Sequence, residues 1–166
     1  MPNSKHMSVK PLIAFFLLWM TLGFRASAAE NPTTGLACEK YKLDNGMTVI
    51  LYVDHTLPTA GINLWYRVGA RNEPAGRSGF AHLFEHLMFM GTKRVPTGGF
   101  DDLMEGAGGS NNASTSLDRT NYFSAGPSSI LPMLLWLDAD RLEALGPNMT
   151  REKLDLQRDV VRNEIR

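Results

Sequence analysis

The chain first alternates apolar and polar residues in the way that is typical of β-strands. Two apolar runs flank Asn45-Gly46, and this dipeptide between such runs is the strongest short-range hairpin signal. We therefore predict strands over 41–43 and 47–53, joined by a tight turn. A third strand is predicted over 60–68, because apolar residues occupy every second position there.

Further along the chain the apolar positions change to helical spacing. Residues 80–90 contain no Gly or Pro and consist largely of Leu, Met, Phe and Ala, which predicts a short and largely buried helix with Ser78 as its N-cap. The other predicted elements are a helix over 100–105, strands over 108–117 and 119–125, a helix over 127–145 with Pro132 in its first turn, and a helix from its N-cap Thr150 to Arg166. The buried stripe predicted for the 127–145 helix consists of Ile130, Met133, Leu134, Leu137 and Leu142.

The order of these elements favours one fold class. Strands, then helices, then strands and helices again are typical of an α+β domain rather than a βαβ array. We predict an antiparallel or mixed sheet packed by helices. At 166 residues and 43% hydrophobic content, the chain is long enough for a single domain with its own core.

The beginning of the chain carries a targeting pattern instead of a fold pattern. Lys5, His6 and Lys10 precede an apolar run over 12–24, and the small-residue site Ala26-Ser27-Ala28 follows. The apolar run is shorter than the roughly 20 residues that span a bilayer, so a cleaved secretory signal peptide is favoured over a membrane anchor. We predict a signal peptide over 1–28, a flexible leader over 29–38 and a folded part over 39–166. The protein is expected to be exported, and periplasmic if its source is a Gram-negative bacterium.

Charge and cysteine content exclude two kinds of protein. Without residues 1–28 the chain has 14 basic and 17 acidic residues, a balance of −3, and it carries no basic patch of the kind that binds nucleic acid. Cys38 is the lone cysteine of the sequence, so the exported fold is not held by an internal disulfide.

Candidate chemistry is concentrated in the helix predicted over 80–90. His82 and His86 are four residues apart, which places them on one face of a helix with about 5–6 Å between their Cβ atoms. Glu85 lies beside them in an apolar segment, and a buried carboxylate needs a cation or another partner. The spacing His-x-x-Glu-His is the inverted form of the zinc protease signature His-Glu-x-x-His.

Two interpretations of this segment follow from the residues. In the first, both imidazoles bind one zinc ion, and Glu85 takes a proton from water that the metal activates. In the second, the histidines are satisfied by backbone carbonyls and Glu85 pairs with an arginine in an ordinary buried helix. The triplet favours the first interpretation. A third metal ligand is then required, and Glu152, Asp155, Asp159 and Glu164 are equal candidates on the last helix.

An ordered set of further motifs resembles the pitrilysin-like zinc proteases, also called inverzincins. The motifs are Arg67-Val68-Gly69-Ala70-Arg71-Asn72-Glu73-Pro74, the segment Gly79 to Thr92 around His82-x-x-Glu85-His86, Gly109 to Thr115, Asp118-Arg119-Thr120-Asn121-Tyr122, Leu137 to Leu142, and Arg158 to Arg166. They cover most of residues 40–166 in the order expected for the family.

The resemblance implies roles for individual residues. It selects Glu164 as the third zinc ligand beside His82 and His86, and Glu85 as the general base. The family often has a glutamate where this chain has Gln157, so Gln157 is expected to hydrogen-bond a ligand without adding charge. Asn112 and Ala113 resemble the family's substrate-binding edge strand, to which an extended peptide is added.

The resemblance also implies what the whole protein does. We expect a zinc endopeptidase that acts on peptides or unfolded segments, with one zinc ion per chain. Family members close a chamber with repeated domains, so this chain is expected to be an incomplete domain that needs a second peptidase-like domain or subunit. The alternatives are a metal-binding but inactive subunit and a non-catalytic interaction domain.

Overall fold

A computed structural model describes residues 37–164. The described residues fall into two compact units, one that ends at Val53 and one that begins at Asp54, and each is described by itself. The predicted signal peptide and nearly all of the predicted leader lie outside the described residues. No helix in the described range is both long and apolar enough to cross a membrane.

The described part of the first unit is the predicted hairpin. Strands β1 (Cys38–Lys42) and β2 (Thr48–Tyr52) pair antiparallel, with Cys38 opposite Tyr52. Gly46 has φ +85° in the turn, a value that favours glycine, and this explains the Asn-Gly signal. β1 begins three residues before the predicted strand over 41–43 and ends at Lys42.

The second unit is built on a three-stranded antiparallel sheet. Its strands are β3 (Thr59–Tyr66), β4 (Ser110–Thr115) and β5 (Thr120–Pro127), and β5 lies between the other two. Along β3 the more buried residues recur at every second position, as the sequence predicted. The predicted α+β class with helices on an antiparallel sheet is confirmed.

Three of the four described helices pack on this sheet, and the last helix packs on the first. The helices are α1 (Phe80–Leu87), α2 (Gly99–Gly106), α3 (Leu131–Asn148) and α4 (Arg151–Glu164), with short 3₁₀ turns at Ala70–Asn72 and Ser128–Ile130. Pro132 lies in the first turn of α3, where its missing N–H has no helical partner to lose. Thr150 caps α4 as predicted, since its Oγ1 accepts the backbone N–H of Lys153 at 3.2 Å.

Two apolar clusters hold the second unit together. The larger joins α2 and α3 and consists of Val95, Phe100, Met104, Leu134 and Leu137. The smaller joins α1 to α4 and consists of Leu83, Leu87 and Val161. The position of α4 against α1 therefore depends on direct apolar packing.

One residue of the predicted α3 stripe is misassigned. Leu142 is 55% exposed, whereas its neighbour Arg141 is buried. Arg141 forms an ion pair with Asp138, and its guanidinium lies 4.5 Å from the ring centroid of Tyr122. Burial raises the pKa of the Asp138 carboxyl, and the charge of Arg141 opposes that rise. The buried face of α3 is thus continued by a paired cation instead of a leucine.

Candidate metal and catalytic site

The N-terminus of α1 is capped from a distance. Gly79 has φ +88° at the N-cap position, and the Glu73 carboxylate accepts the backbone N–H groups of Gly79 at 3.0 Å and Ala81 at 2.8 Å. The prediction that Ser78 is the N-cap is therefore wrong. A carboxylate at this end of a helix satisfies free N–H groups and complements the helix dipole.

The body of α1 is shorter and more exposed than predicted. It ends at Leu87, and the three residues that follow form turns. Leu83 and Leu87 are buried against α4, but Phe80 is 42% and Phe84 54% exposed. Only the sides of the helix that meet α4 and the sheet are buried.

His82, His86 and Glu164 bring three potential ligand atoms together. The Nε2 atoms of the two histidines are 3.1 Å apart. Glu164 Oε2 lies 3.4 Å from His82 Nε2 and 3.3 Å from His86 Nε2. All three ligand atoms lie within 4.8 Å of one another. Of the four acidic candidates on the last helix, Glu164 is the one in this cluster.

One face of α4 sets the position of Glu164. Lys153, Gln157, Val161 and Glu164 recur at helical spacing and so lie along one side of the helix. The Lys153 ammonium donates to the Met90 carbonyl at 2.9 Å, just beyond the C-terminal end of α1. A cation is favourable at the C-terminal end of a helix. Lys153 and Glu164 lie near opposite ends of α4, so α4 contacts the α1 region at both ends.

Gln157 lies directly behind one histidine. Its Oε1 is 3.2 Å from His86 Nδ1, and its Nε2 donates to the Met90 sulfur at 3.2 Å. An amide oxygen only accepts, so this contact is a hydrogen bond in the tautomer with the proton on His86 Nδ1, which leaves the lone pair of Nε2 for a metal. The predicted contact between Gln157 and a candidate ligand is present in the structure.

Glu85 occupies a separate position on the sheet side of α1. It is 9% exposed, and its Oε2 accepts a hydrogen bond from Thr115 Oγ1 on β4. The hydroxyl of a second threonine, Thr120, lies 3.3 Å from Thr115 Oγ1 and donates to the Val68 carbonyl at 3.0 Å. The second carboxylate oxygen of Glu85 forms no hydrogen bond within residues 37–164, and Glu85 lines an open cleft.

That cleft has a volume of about 510 Å³ and is lined by α1, the preceding loop and β4. His82, Glu85, Glu73 and Thr115 are among the residues that line it. Gly69 fixes the loop, because a Cβ there would lie 2.3 Å from the Ser116 carbonyl oxygen. Only glycine permits this close approach.

The predicted substrate-binding residues lie on the edge strand of the sheet. Within the described residues β4 pairs with β5 alone. Asn112 is exposed and Ala113 is half-buried. The Ala113 backbone N–H donates to the Asn112 side-chain oxygen at 2.8 Å. A peptide strand that pairs with this amide must displace the Asn112 side chain.

The donor set fits a zinc ion. Two imidazole nitrogens and one carboxylate oxygen are the ligand types of catalytic zinc sites, which keep a further position open. A half-exposed cluster of this kind beside a cleft, with a buried carboxylate next to it, is the arrangement that zinc-dependent hydrolases use.

Comparison with known proteins identifies the family. A profile of the family described as Insulinase (Peptidase family M16) matches residues 48–166. The chain belongs to this family, and the resemblance inferred from its motifs is confirmed.

Individual relatives agree with this assignment. The chain is 35% identical over 164 residues to the zinc protease PqqE of Helicobacter pylori, covering 98% of this chain and 36% of the relative. It is 37% identical over 101 residues to the mitochondrial-processing peptidase subunit beta of Blastocladiella emersonii, covering 59% of this chain and 22% of that protein. The chain thus spans about a third or less of these relatives.

Crystal structures give the same result. A protease from Helicobacter pylori superposes with a TM-score of 0.73 at 35% identity, over 78% of this chain and 31% of that one. Pitrilysin superposes with a TM-score of 0.70 at 26% identity, over 86% of this chain and 15% of its own.

Three contacts of the site were not predicted from the sequence. Thr115, Glu73 and Lys153 reach α1 from other elements. For Glu73 a signal existed, since a glycine-rich start to α1 without a good local cap leaves N–H groups to be satisfied elsewhere. The other two contacts depend on tertiary packing and had no local signal.

Proposed function

We propose that the protein is a zinc-dependent endopeptidase in which His82, His86 and Glu164 hold the metal and Glu85 is the general base. The observation that carries the proposal is the convergence of one carboxylate from α4 on two imidazoles from α1, within 4.8 Å. The family match to peptidases and the printed names of the relatives support the same reaction class.

Each residue has a distinct task in the proposed reaction. A bound zinc ion supplies Lewis acidity toward the scissile carbonyl and the attacking water. Glu85 accepts the proton of that water on the oxygen that Thr115 leaves free and then returns it to the leaving amine. Gln157 holds His86 in the tautomer that presents Nε2 to the metal.

The substrate is proposed to bind as an extended strand along the free edge of β4. Ala113 contributes its backbone groups after the Asn112 side chain has moved aside, and main-chain pairing of this kind accepts many sequences. The edge runs to Thr115, which contacts Glu85. A peptide paired there passes the proposed base.

Two substitutions test the assignment. His82→Ala is expected to abolish stoichiometric zinc binding, measured by metal analysis after gel filtration. Glu85→Gln is expected to retain zinc but to lower cleavage of a quenched peptide by at least about 100-fold, because general-base catalysis is typically worth about 10²–10⁴-fold. Equal zinc content in wild type and His82→Ala would contradict the metal site, and an active Glu85→Gln variant would contradict the base.

A second candidate function is a metal-binding piece that is inactive by itself. It is favoured by one observation, that the chain spans 36% of its Helicobacter relative. In that case the purified chain binds zinc yet cleaves peptides only when the remaining part of a family member is added in trans. Robust cleavage by the purified chain would eliminate this candidate.

We also propose that the protein is exported, since the basic and apolar pattern of residues 1–28 is that of a signal peptide. Expression in a Gram-negative host, followed by fractionation and N-terminal sequencing, is expected to give a periplasmic product that begins at residue 29. A cytoplasmic product that keeps Met1 would contradict export.

A further inference from the structure

The sheet of the second unit has an outer face on which one row of side chains crosses all three strands. Trp65 on β3 lies opposite Asn121 on β5, and Asn121 lies opposite Ser114 on β4. Side chains at alternate positions of a strand share a face, so Arg119, two residues before Asn121, belongs to the same side. The helices cover the other face of this sheet, where Thr115 contacts Glu85 and the Tyr122 hydroxyl donates to the Phe84 carbonyl of α1 at 3.5 Å. Asn121, on the outer face, is itself buried.

Arg119 extends over this row toward the free edge. Its guanidinium carbon lies 4.9 Å from the ring centroid of Trp65. Its Nη1 donates to Ser114 Oγ at 3.0 Å and also contacts the side-chain oxygen of Asn121. The stacked ring and the two hydrogen bonds hold the guanidinium beside Ser114, on the strand that lies at the edge of the sheet.

The positive charge of Arg119 is not neutralised within the described part of the chain. All of its polar contacts there are to neutral oxygens, and the neighbouring Asp118 pairs with Arg71 instead. Its Nε and Nη2 groups donate no hydrogen bond to residues 37–164. A guanidinium offers a planar fork of donors that suits a carboxylate.

We propose that Arg119 is a specificity-determining residue that selects an acidic side chain on the bound peptide. The inference rests on the proposed function, in which the peptide pairs with the free edge of β4. The peptide residue opposite Ser114 would have its Cβ about 4.5–5.5 Å from that of Ser114. A Glu side chain there reaches the unused donors of Arg119, whereas a neutral side chain leaves them to solvent.

The preference applies to one face of the peptide only. Side chains at the adjacent positions point to the opposite face of the sheet, the side of α1, where Thr115 contacts Glu85 and Glu73 caps the helix. Those carboxylates repel an acidic side chain. The peptide position opposite Ser114 is therefore favourable for Glu, and the positions immediately before and after it are not.

A positional scan tests this inference. A fluorescent, neutral, extended peptide is bound to the zinc-loaded Glu85→Gln chain, and Glu replaces Gln at one position at a time while anisotropy reports affinity. We expect one position to gain about fivefold, the upper range for an exposed ion pair, and both neighbouring positions to gain nothing. The gain should decrease as salt is added.

Variants of Arg119 identify the group responsible. Arg119→Met is expected to abolish the gain for Glu while neutral peptides still bind, and Arg119→Glu is expected to transfer the gain to a peptide with Lys at the same position. Arg151→Met is the matched control, because it removes an equal charge from an exposed residue of α4, and it should leave the gain intact.

The possible failures are distinguishable. If neutral and acidic peptides both fail to bind the zinc-loaded chain, alone and with the remaining part of a family member added, peptide binding at the β4 edge, and so the proposed function, is refuted. If neutral peptides bind but Glu gains nothing at any position, the specificity inference alone is overturned. The inference is also overturned if Arg119→Glu binds the Glu and Lys peptides with the unaltered order of affinity.

Discussion

Glu85 is a carboxylate with two differently occupied oxygens. Oε2 accepts a hydrogen bond from the Thr115 hydroxyl. This donor is neutral, and it orients the carboxylate. A hydrogen bond to a charged group contributes about 1.5–3 kcal/mol, and most of this is lost when the partner is removed from a buried acceptor. Thr115 is thus a positioning residue for the proposed base.

Substitution of Thr115 tests this role. Thr115→Val has a similar shape but no hydroxyl, and it is expected to lower kcat by about 10- to 100-fold, because a loss of 1.5–3 kcal/mol corresponds to that range. Zinc content and KM should change little. Thr115→Ser restores the hydroxyl and should recover most of the rate. A Thr115→Val enzyme with normal kcat would contradict the role.

At this scale the sequence predicted what one helix can encode. His82, Glu85 and His86 follow from spacing alone, since a helix fixes their relative positions. Glu164 was one of several equal acidic candidates until the family resemblance selected it. Its approach to His82 depends on how α4 packs on α1, and that packing cannot be predicted from the local sequence of either helix.

Among the elements, α1 is the one most dependent on a distant partner. Its first turn begins at a left-handed glycine and has no side-chain cap of its own. Glu73 supplies the missing acceptors to Gly79 and Ala81. The helix that carries both histidines is therefore anchored by the loop that also borders the cleft.

Removal of this cap should destabilise the fold. Glu73→Ala is expected to lower the free energy of unfolding by about 0.5–2 kcal/mol, the usual cost of losing an N-cap, as measured by urea denaturation. Ser78→Ala is the matched control, because Ser78 was the predicted cap but does not cap α1. It should have almost no effect. Equal losses for the two variants would show that Glu73 does not cap the helix.

The sequence predicted the type of every described helix and strand but placed several ends wrongly. The β1–β2 turn was predictable because Asn45-Gly46 requires a particular backbone conformation. The buried face of α3 was predicted from apolar spacing, and this prediction was wrong at Leu142. An arginine paired with Asp138 and stacked on aromatic rings can replace an apolar residue in a core, and hydrophobic periodicity does not detect such a pair.

On the scale of the whole second unit, the burial of two tyrosines makes the free energy of unfolding decrease at alkaline pH. Desolvation is the main cause that raises the pKa of Tyr66 and of Tyr122, and the charge of Arg141 opposes it in both. The folded chain keeps both phenols protonated, whereas the unfolded chain releases these protons near the ordinary tyrosine pKa of 10.0. Stability is full below that pH and falls as pH rises above it.

Urea denaturation across this range tests the sign. The free energy of unfolding should fall by up to about 1.4 kcal/mol per pH unit for each tyrosine above roughly pH 10. Tyr122→Phe is expected to remove one such contribution, and Tyr52→Phe, at an exposed position of β2, should not. A slope that Tyr122→Phe leaves unchanged would contradict this cause.

The hydrogen bond from the Ala113 amide to the Asn112 side chain has a consequence for solubility. An exposed strand edge is a template on which a second copy can add itself, and repeated addition leads to aggregation. Here the Asn112 side chain accepts the Ala113 N–H, which is one of the donors of that edge. A strand from a second copy must displace the Asn112 side chain before it can pair, and this disfavours self-association. A ligand that makes further contacts can still bind at the edge.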